Sequence, residues 1–155
     1  MDWYFIVKTL HILGSTVLFG TGLGIAFFMF RSRYTEDLGK KLFAAQNTVF
    51  ADYVFTFPAV FLQPITGVWL IWQGGYDWTE GWLVASYALF IFVGLCWLPV
   101  VWIQIRLKSL LLLAQRQNTN LPEQYHRLFR IWFILGWPAF LSVLALFYLM
   151  VAKPL

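Results

Sequence analysis

Four apolar runs, at about residues 3–30, 48–73, 83–105 and 126–151, limit this chain more than any other feature. Each is long enough to cross a bilayer, which takes about 20 apolar residues for a hydrocarbon core of about 30 Å. In that layer no water meets a bare N–H or C=O, so a span of this length must be helical. The expected fold is all-α, a single transmembrane domain built as an integral membrane four-helix bundle. Composition agrees: 61% of the 155 residues are hydrophobic and 12% charged, against about 25% charged in a soluble domain. No stretch is left for a separate soluble domain.

The basic residues set the expected orientation. The connection 31–47 carries Arg31, Arg33, Lys40 and Lys41, and 106–130 carries Arg106, Lys108, Arg116, Arg127 and Arg130. The connection 74–82, GGYDWTEGW, has acidic and aromatic residues and no Lys or Arg. Lysine and arginine collect on the cytoplasmic side, so both basic connections are expected inside and both termini outside. The net charge of +4 therefore belongs to loops, and nucleic acid is not an expected partner. Asp2 and the lack of a basic start or a small-residue cleavage site argue that the first segment is not a cleaved signal. Cys96, the single cysteine, sits in an apolar run and reads as an inert buried thiol.

Ionisable groups at membrane depth are costly, so each is a candidate site. On the first helix, Lys8, His11, Ser15, Leu18 and Gly22 share one face at i, i+3, i+4 spacing. Beside them, Gly14 adds a small residue next to the imidazole. A flat cofactor or a close-packed helix would fit such a face. His11 could bind the iron of haem b, with Lys8 near a propionate and Gly14, Ser15 and Gly22 leaving room for the ring. His126 is expected at the opposite membrane face, too far away to be the second ligand; Met150 is at a better depth. Gly20-x-x-x-Gly24 is a close-packing motif, and this small-residue face offers a homodimer surface.

In the second segment, Asp52, Thr56 and Gln63 fall on one face, between and before Pro58 and Pro64. The prolines free backbone carbonyls, so this helix is expected to be kinked and packed on its neighbours. Asp52 reads as about one turn inside the segment. A carboxylate there needs a cation, and Arg106 or Arg130 is the expected partner in a buried ion pair. Phe57-Pro58-Ala59 and Trp137-Pro138-Ala139 form a faint internal repeat. No H-x-x-x-H, C-x-x-C, H-E-x-x-H or phosphate-loop pattern is present.

Lys8-Thr9-Leu10-His11-Ile12-Leu13, Phe19-Gly20-Thr21-Gly22-Leu23-Gly24, Leu62-Gln63-Pro64-Ile65-Thr66-Gly67, Trp97 through Arg106, Tyr125-His126-Arg127-Leu128-Phe129 and Gly136-Trp137-Pro138-Ala139 together resemble domain of unknown function 2269. That is a bacterial integral-membrane family, and the resemblance covers essentially the whole chain. It implies a bacterial inner-membrane location and no particular activity. A more distant likeness, carried by the Lys-x-Leu-His-Ile start, is to CopD-like membrane proteins and HemJ-like protoporphyrinogen oxidases. It would map a porphyrin-related histidine onto His11, though the later histidine-rich part of the HemJ pattern has no match here. Three function classes follow. They are haem- or porphyrin-based membrane redox chemistry, transport of a small solute or metal ion, and an accessory subunit of a membrane complex.

Overall fold

The computed structural model describes residues 3–154, and among these no strand occurs. Helix α1 spans Trp3–Arg31 and ends in a short 3₁₀ turn, Ser32–Tyr34. Helix α2, Leu38–Ala51, runs through a wide π turn, Asp52–Thr56, directly into α3, Phe57–Gly74. Helices α4, Gly81–Gln117, and α5, Glu123–Ala152, complete the chain. Counting α2 and α3 as one rod, four helices are long and apolar enough to cross a membrane.

Two of the four extend well beyond the apolar runs. The α2–α3 rod and α4 each have 37 residues, about 55 Å of helix against a hydrocarbon core of about 30 Å. The connection 31–47, expected as an interfacial or short helical link, is mostly helix and runs straight on into the second span. Asp37 starts it, its carboxylate accepting from the Gly39 and Lys40 amides at 2.8 and 3.2 Å, as an N-cap should. Leu42, Ala45 and Val49 then recur at near-helical spacing on a buried face. At the far end of the rod the chain reverses at Gly75, whose φ of 68° is left-handed and suits a residue without Cβ.

The π turn has a local cause. Pro58 has no N–H to offer and its ring crowds the carbonyl four residues earlier. The helix widens just before it, and the Phe57 amide donates to the Asp52 carbonyl, an i→i+5 bond. Pro138 lies within regular helix with no such turn, so the faint sequence repeat has no structural counterpart at this feature.

Packing divides the molecule into two helix pairs, α1 with α3 and α4 with α5, joined through α2. At the basic end a continuous core holds Met29, Leu42, Leu107, Leu111, Phe129 and Trp132. At the other end a smaller cluster holds Ile71, Trp82 and Leu83. There the N-terminal helix, the 74–82 connection and the C-terminus meet. Tyr76 packs edge-on against Trp82, and the Lys153 ammonium donates to the Tyr76 hydroxyl. In the connection itself, the Thr79 amide and hydroxyl both donate to Asp77, holding its exposed carboxyl below its ordinary value. Elsewhere large apolar side chains face outward, among them Ile65, Trp72, Leu95 and Val151, as a surface in lipid requires.

Within one chain, close glycine packing falls outside the GxxxG motif. A Cβ added at Gly20, Gly22 or Gly24 would meet nothing within 4 Å. At Gly14 it would come within 2.5 Å of the Gln63 amide nitrogen. Close approach of α1 to α3 therefore occurs one to two turns before the GxxxG motif, where a polar side chain reaches across. Gly14→Leu should cost about 1–3 kcal/mol of stability by overpacking, while Gly20→Leu should be near neutral, both read from reversible unfolding in mixed micelles.

Candidate functional site: two polar centres inside the bundle

The first centre clamps α1 to α3. The Gln63 amide donates to the His11 carbonyl at 2.8 Å, and His11 Nδ1 lies 2.7 Å from the Thr66 hydroxyl oxygen. That hydroxyl also lies 2.6 Å from the Leu62 carbonyl. With the hydroxyl hydrogen on Leu62, Nδ1 is the donor and Nε2 keeps its lone pair; with the hydroxyl turned to Nδ1, the ring takes the other tautomer. The ring lies against Gly67, where an added Cβ would sit 3.4 Å from His11 Cε1. Gln63 and Thr66 are buried and His11 is partly so.

The other members of the expected His11 face separate from it. Lys8 is exposed and lies 5.8 Å from the centre of the Tyr4 ring. The Ser15 hydroxyl turns back on its own helix, donating to the Ile12 carbonyl at 2.7 Å, the usual resting place for a hydroxyl in an apolar helix. Gly14 is filled by Gln63, so the room it leaves is already taken. Gly22 remains open. His126 lies at the basic end with Arg33 and Arg130, far along the bundle from His11, as expected.

The second centre surrounds Asp52. This residue follows the 14 residues of α2, about 21 Å of helix, so it is far deeper than one turn from the start of its segment. It is 4% exposed, and among the described residues no cation reaches it. The expected ion pair with Arg106 or Arg130 does not form. Both arginines are exposed, and among the described residues the ion pair within 4.0 Å is Lys40–Asp37. The reason is the added length of α2, which carries Asp52 inward while both arginines stay on outward faces of their helices.

What meets the carboxyl instead is neutral. With its amide turned to satisfy both neighbours, Gln104 donates to Asp52 Oδ2 at 2.6 Å and accepts from Trp132 Nε1 at 3.3 Å. The Thr56 hydroxyl and the Trp97 indole N–H also face this carboxyl, without closing to hydrogen-bond geometry. Both of these polar atoms are buried and otherwise unpartnered. The chain Asp52–Gln104–Trp132 thus links the π turn to α4 and α5. A sequence reading places Gln104 at the right depth but cannot pair it, because the two tryptophans look like lipid-facing or core residues. No group of three or more His, Cys, Asp or Glu among the described residues could hold a metal ion.

Comparison with known proteins gives one result. The family model described as "Predicted integral membrane protein (DUF2269)" matches residues 5–154. No curated protein and no solved structure matches the chain. The chain belongs to that family and is a multi-pass integral membrane protein of unknown function.

The His11 clamp is directly measurable. In a double-mutant cycle of His11→Ala and Thr66→Val, the coupling should be about 0.6 kcal/mol, within the range up to about 1.7 found for bonds between membrane helices. Zero coupling would mean that the two side chains act independently.

Proposed function

We propose that this family member is a small proton-coupled membrane carrier, located in the bacterial inner membrane with both termini outside, and that Asp52 is its proton-binding group. The observation that carries this reading is a buried carboxyl at a π turn with no cation beside it among the described residues. An ionised carboxylate without a partner in this setting is costly, so the group must hold a proton or a cation. Neutral donors line it, and two of them, Thr56 and Trp97, have hydrogen-bonding capacity left over. Those spare donors can stabilise the anion briefly when the proton leaves.

The fold offers a hinge for such a cycle. The π turn sits in mid-rod, and the α1–α3 and α4–α5 pairs pack mainly within themselves. Rocking of one pair on the other about this turn would expose Asp52 to alternate sides, as in carriers with interrupted helices. The basic connections 31–47 and 106–130 favour the cytoplasm for the end that holds them.

Infrared difference spectra of the protein in liposomes, taken across a step in bulk pH, test the proton site. A carboxyl C=O band that responds to the step and disappears in Asp52→Asn is the expected result. A difference spectrum unchanged by that substitution removes Asp52 from the mechanism.

A second reading has its own observation. His11 Nδ1 lies against the Thr66 hydroxyl and Nε2 has no partner among the described residues; in the tautomer with the proton on Nδ1, this is the state an axial haem ligand needs. Haem b would supply electron transfer there, with His11 as the iron ligand. The fit is partial, because Gln63 fills Gly14 and Lys8 points to Tyr4. Protein purified from haem-replete cells should then show a Soret band that shifts on dithionite reduction and is lost in His11→Ala. A colourless protein excludes this reading and leaves Asp52 untouched.

A further inference from the structure

At the basic end, a cavity of about 290 Å³ opens between the α1 terminus, α2 and α5. Arg33, Lys41, His126 and Arg130 line it, from three separate elements. Lys41 is the unusual member. It is 9% exposed, yet no acidic side chain pairs with it among the described residues. Its neighbour Lys40 has the opposite arrangement, exposed and 3.9 Å from Asp37. A lysine in this position buries its stem and keeps its ammonium accessible, and since Lys41 lines the cavity, that ammonium brings to it a positive charge with no counter-charge from the described residues. Tyr125 lines the same cavity, 3% exposed, with its hydroxyl unpartnered. The cavity therefore offers an ammonium, two guanidiniums, an imidazole and a spare phenol, with no carboxylate among its lining residues.

We propose that this cavity binds the phosphate of an anionic phospholipid headgroup. The charge calls for an anion, and the fork of an arginine suits phosphate oxygens. The surroundings call for a lipid rather than free phosphate. Phe129 and Phe133 form the apolar side of the cavity. Phe133 stacks on Phe30 at 5.2 Å and meets Trp137 edge-on, continuing as an aromatic strip along the outside of α5. Both Phe133 and Trp137 are exposed on this flank, 38% and 53%. An acyl chain can lie along that strip while its headgroup enters the cavity. Basic pockets at the ends of membrane helices are suited to such lipids.

Native mass spectrometry of the full chain from mixed micelles, with phosphatidylglycerol and phosphatidylcholine offered in equal amounts, tests this. One phosphatidylglycerol per chain should be retained in preference to phosphatidylcholine. Each cation removed should weaken retention roughly five-fold, the equivalent of about 1 kcal/mol per basic residue near a charged headgroup. Lys41→Gln removes the ammonium and keeps most of the stem. Arg33→Gln with Arg130→Gln, both at exposed positions, provides an independent variant that keeps the core intact. Lys40→Gln, outside the cavity, should change nothing. Equal retention of the two lipids, or undiminished phosphatidylglycerol binding in the arginine double variant, overturns the proposal. Displacement of the lipid by an equal concentration of inorganic phosphate overturns the lipid assignment and identifies a free-phosphate site.

Discussion

A polar group inside a bilayer cannot turn to water, and nearly every local arrangement here follows from that constraint. Thr9, Ser15, Thr16, Ser86 and Ser109 fold their hydroxyls back onto carbonyls of their own helices. Gln63 and Gln104, whose longer side chains cannot do so as readily, reach to another helix instead. With the His11–Thr66 contact, these two amides provide cross-links between helices that dispersion alone does not specify. Each such bond is modest, and their value is in fixing register between surfaces that would otherwise slide.

The unevenness of the packing matters as much as its strength. Apolar cores occupy the two ends, and the polar Asp52 centre lies between them. Evenly packed helices would hold all four rods in one arrangement. Here the ends are held and the middle is joined by a few hydrogen bonds around a widened turn. A bundle built in this way has a weak point where the buried carboxyl of Asp52 sits, which is the arrangement a conformational cycle would use.

The sequence is most informative where a residue's role depends on its own helix. Four spans, the proline disturbance at Pro58 and the opposite placement of His11 and His126 can all be read from spacing and length. It is less informative where a role depends on a neighbour. Asp37 is an N-cap with a periodic apolar stripe after it, a pattern that starts the helix at 38 rather than 48. With that start, Lys41 and Asp52 fall on the buried side of one helix, and the ion pairs with Arg106 and Arg130 lose their basis. Gly14 and Gly20 show the same limit. Nothing in the first helix alone says which glycine meets a partner, because the answer is the position of Gln63 on another helix. Trp97 and Trp132 conceal the polar centre for a related reason, since an indole in an apolar run reads as apolar surface until its N–H is seen to face something.

The widened turn also changes how the second rod addresses its surroundings. One residue accommodated in a helix without lengthening its pattern rotates everything beyond it by roughly 100°. Before the turn, the buried stripe of α2 faces mainly α4; after it, the buried side chains of α3 face α1. The rod is continuous in length but shifted in phase, which lets one element serve two neighbours that stand on different sides of it. Losing or gaining a residue between 52 and 56 would act as a rotation of half the rod, exchanging which of its side chains are seen by lipid and which by protein.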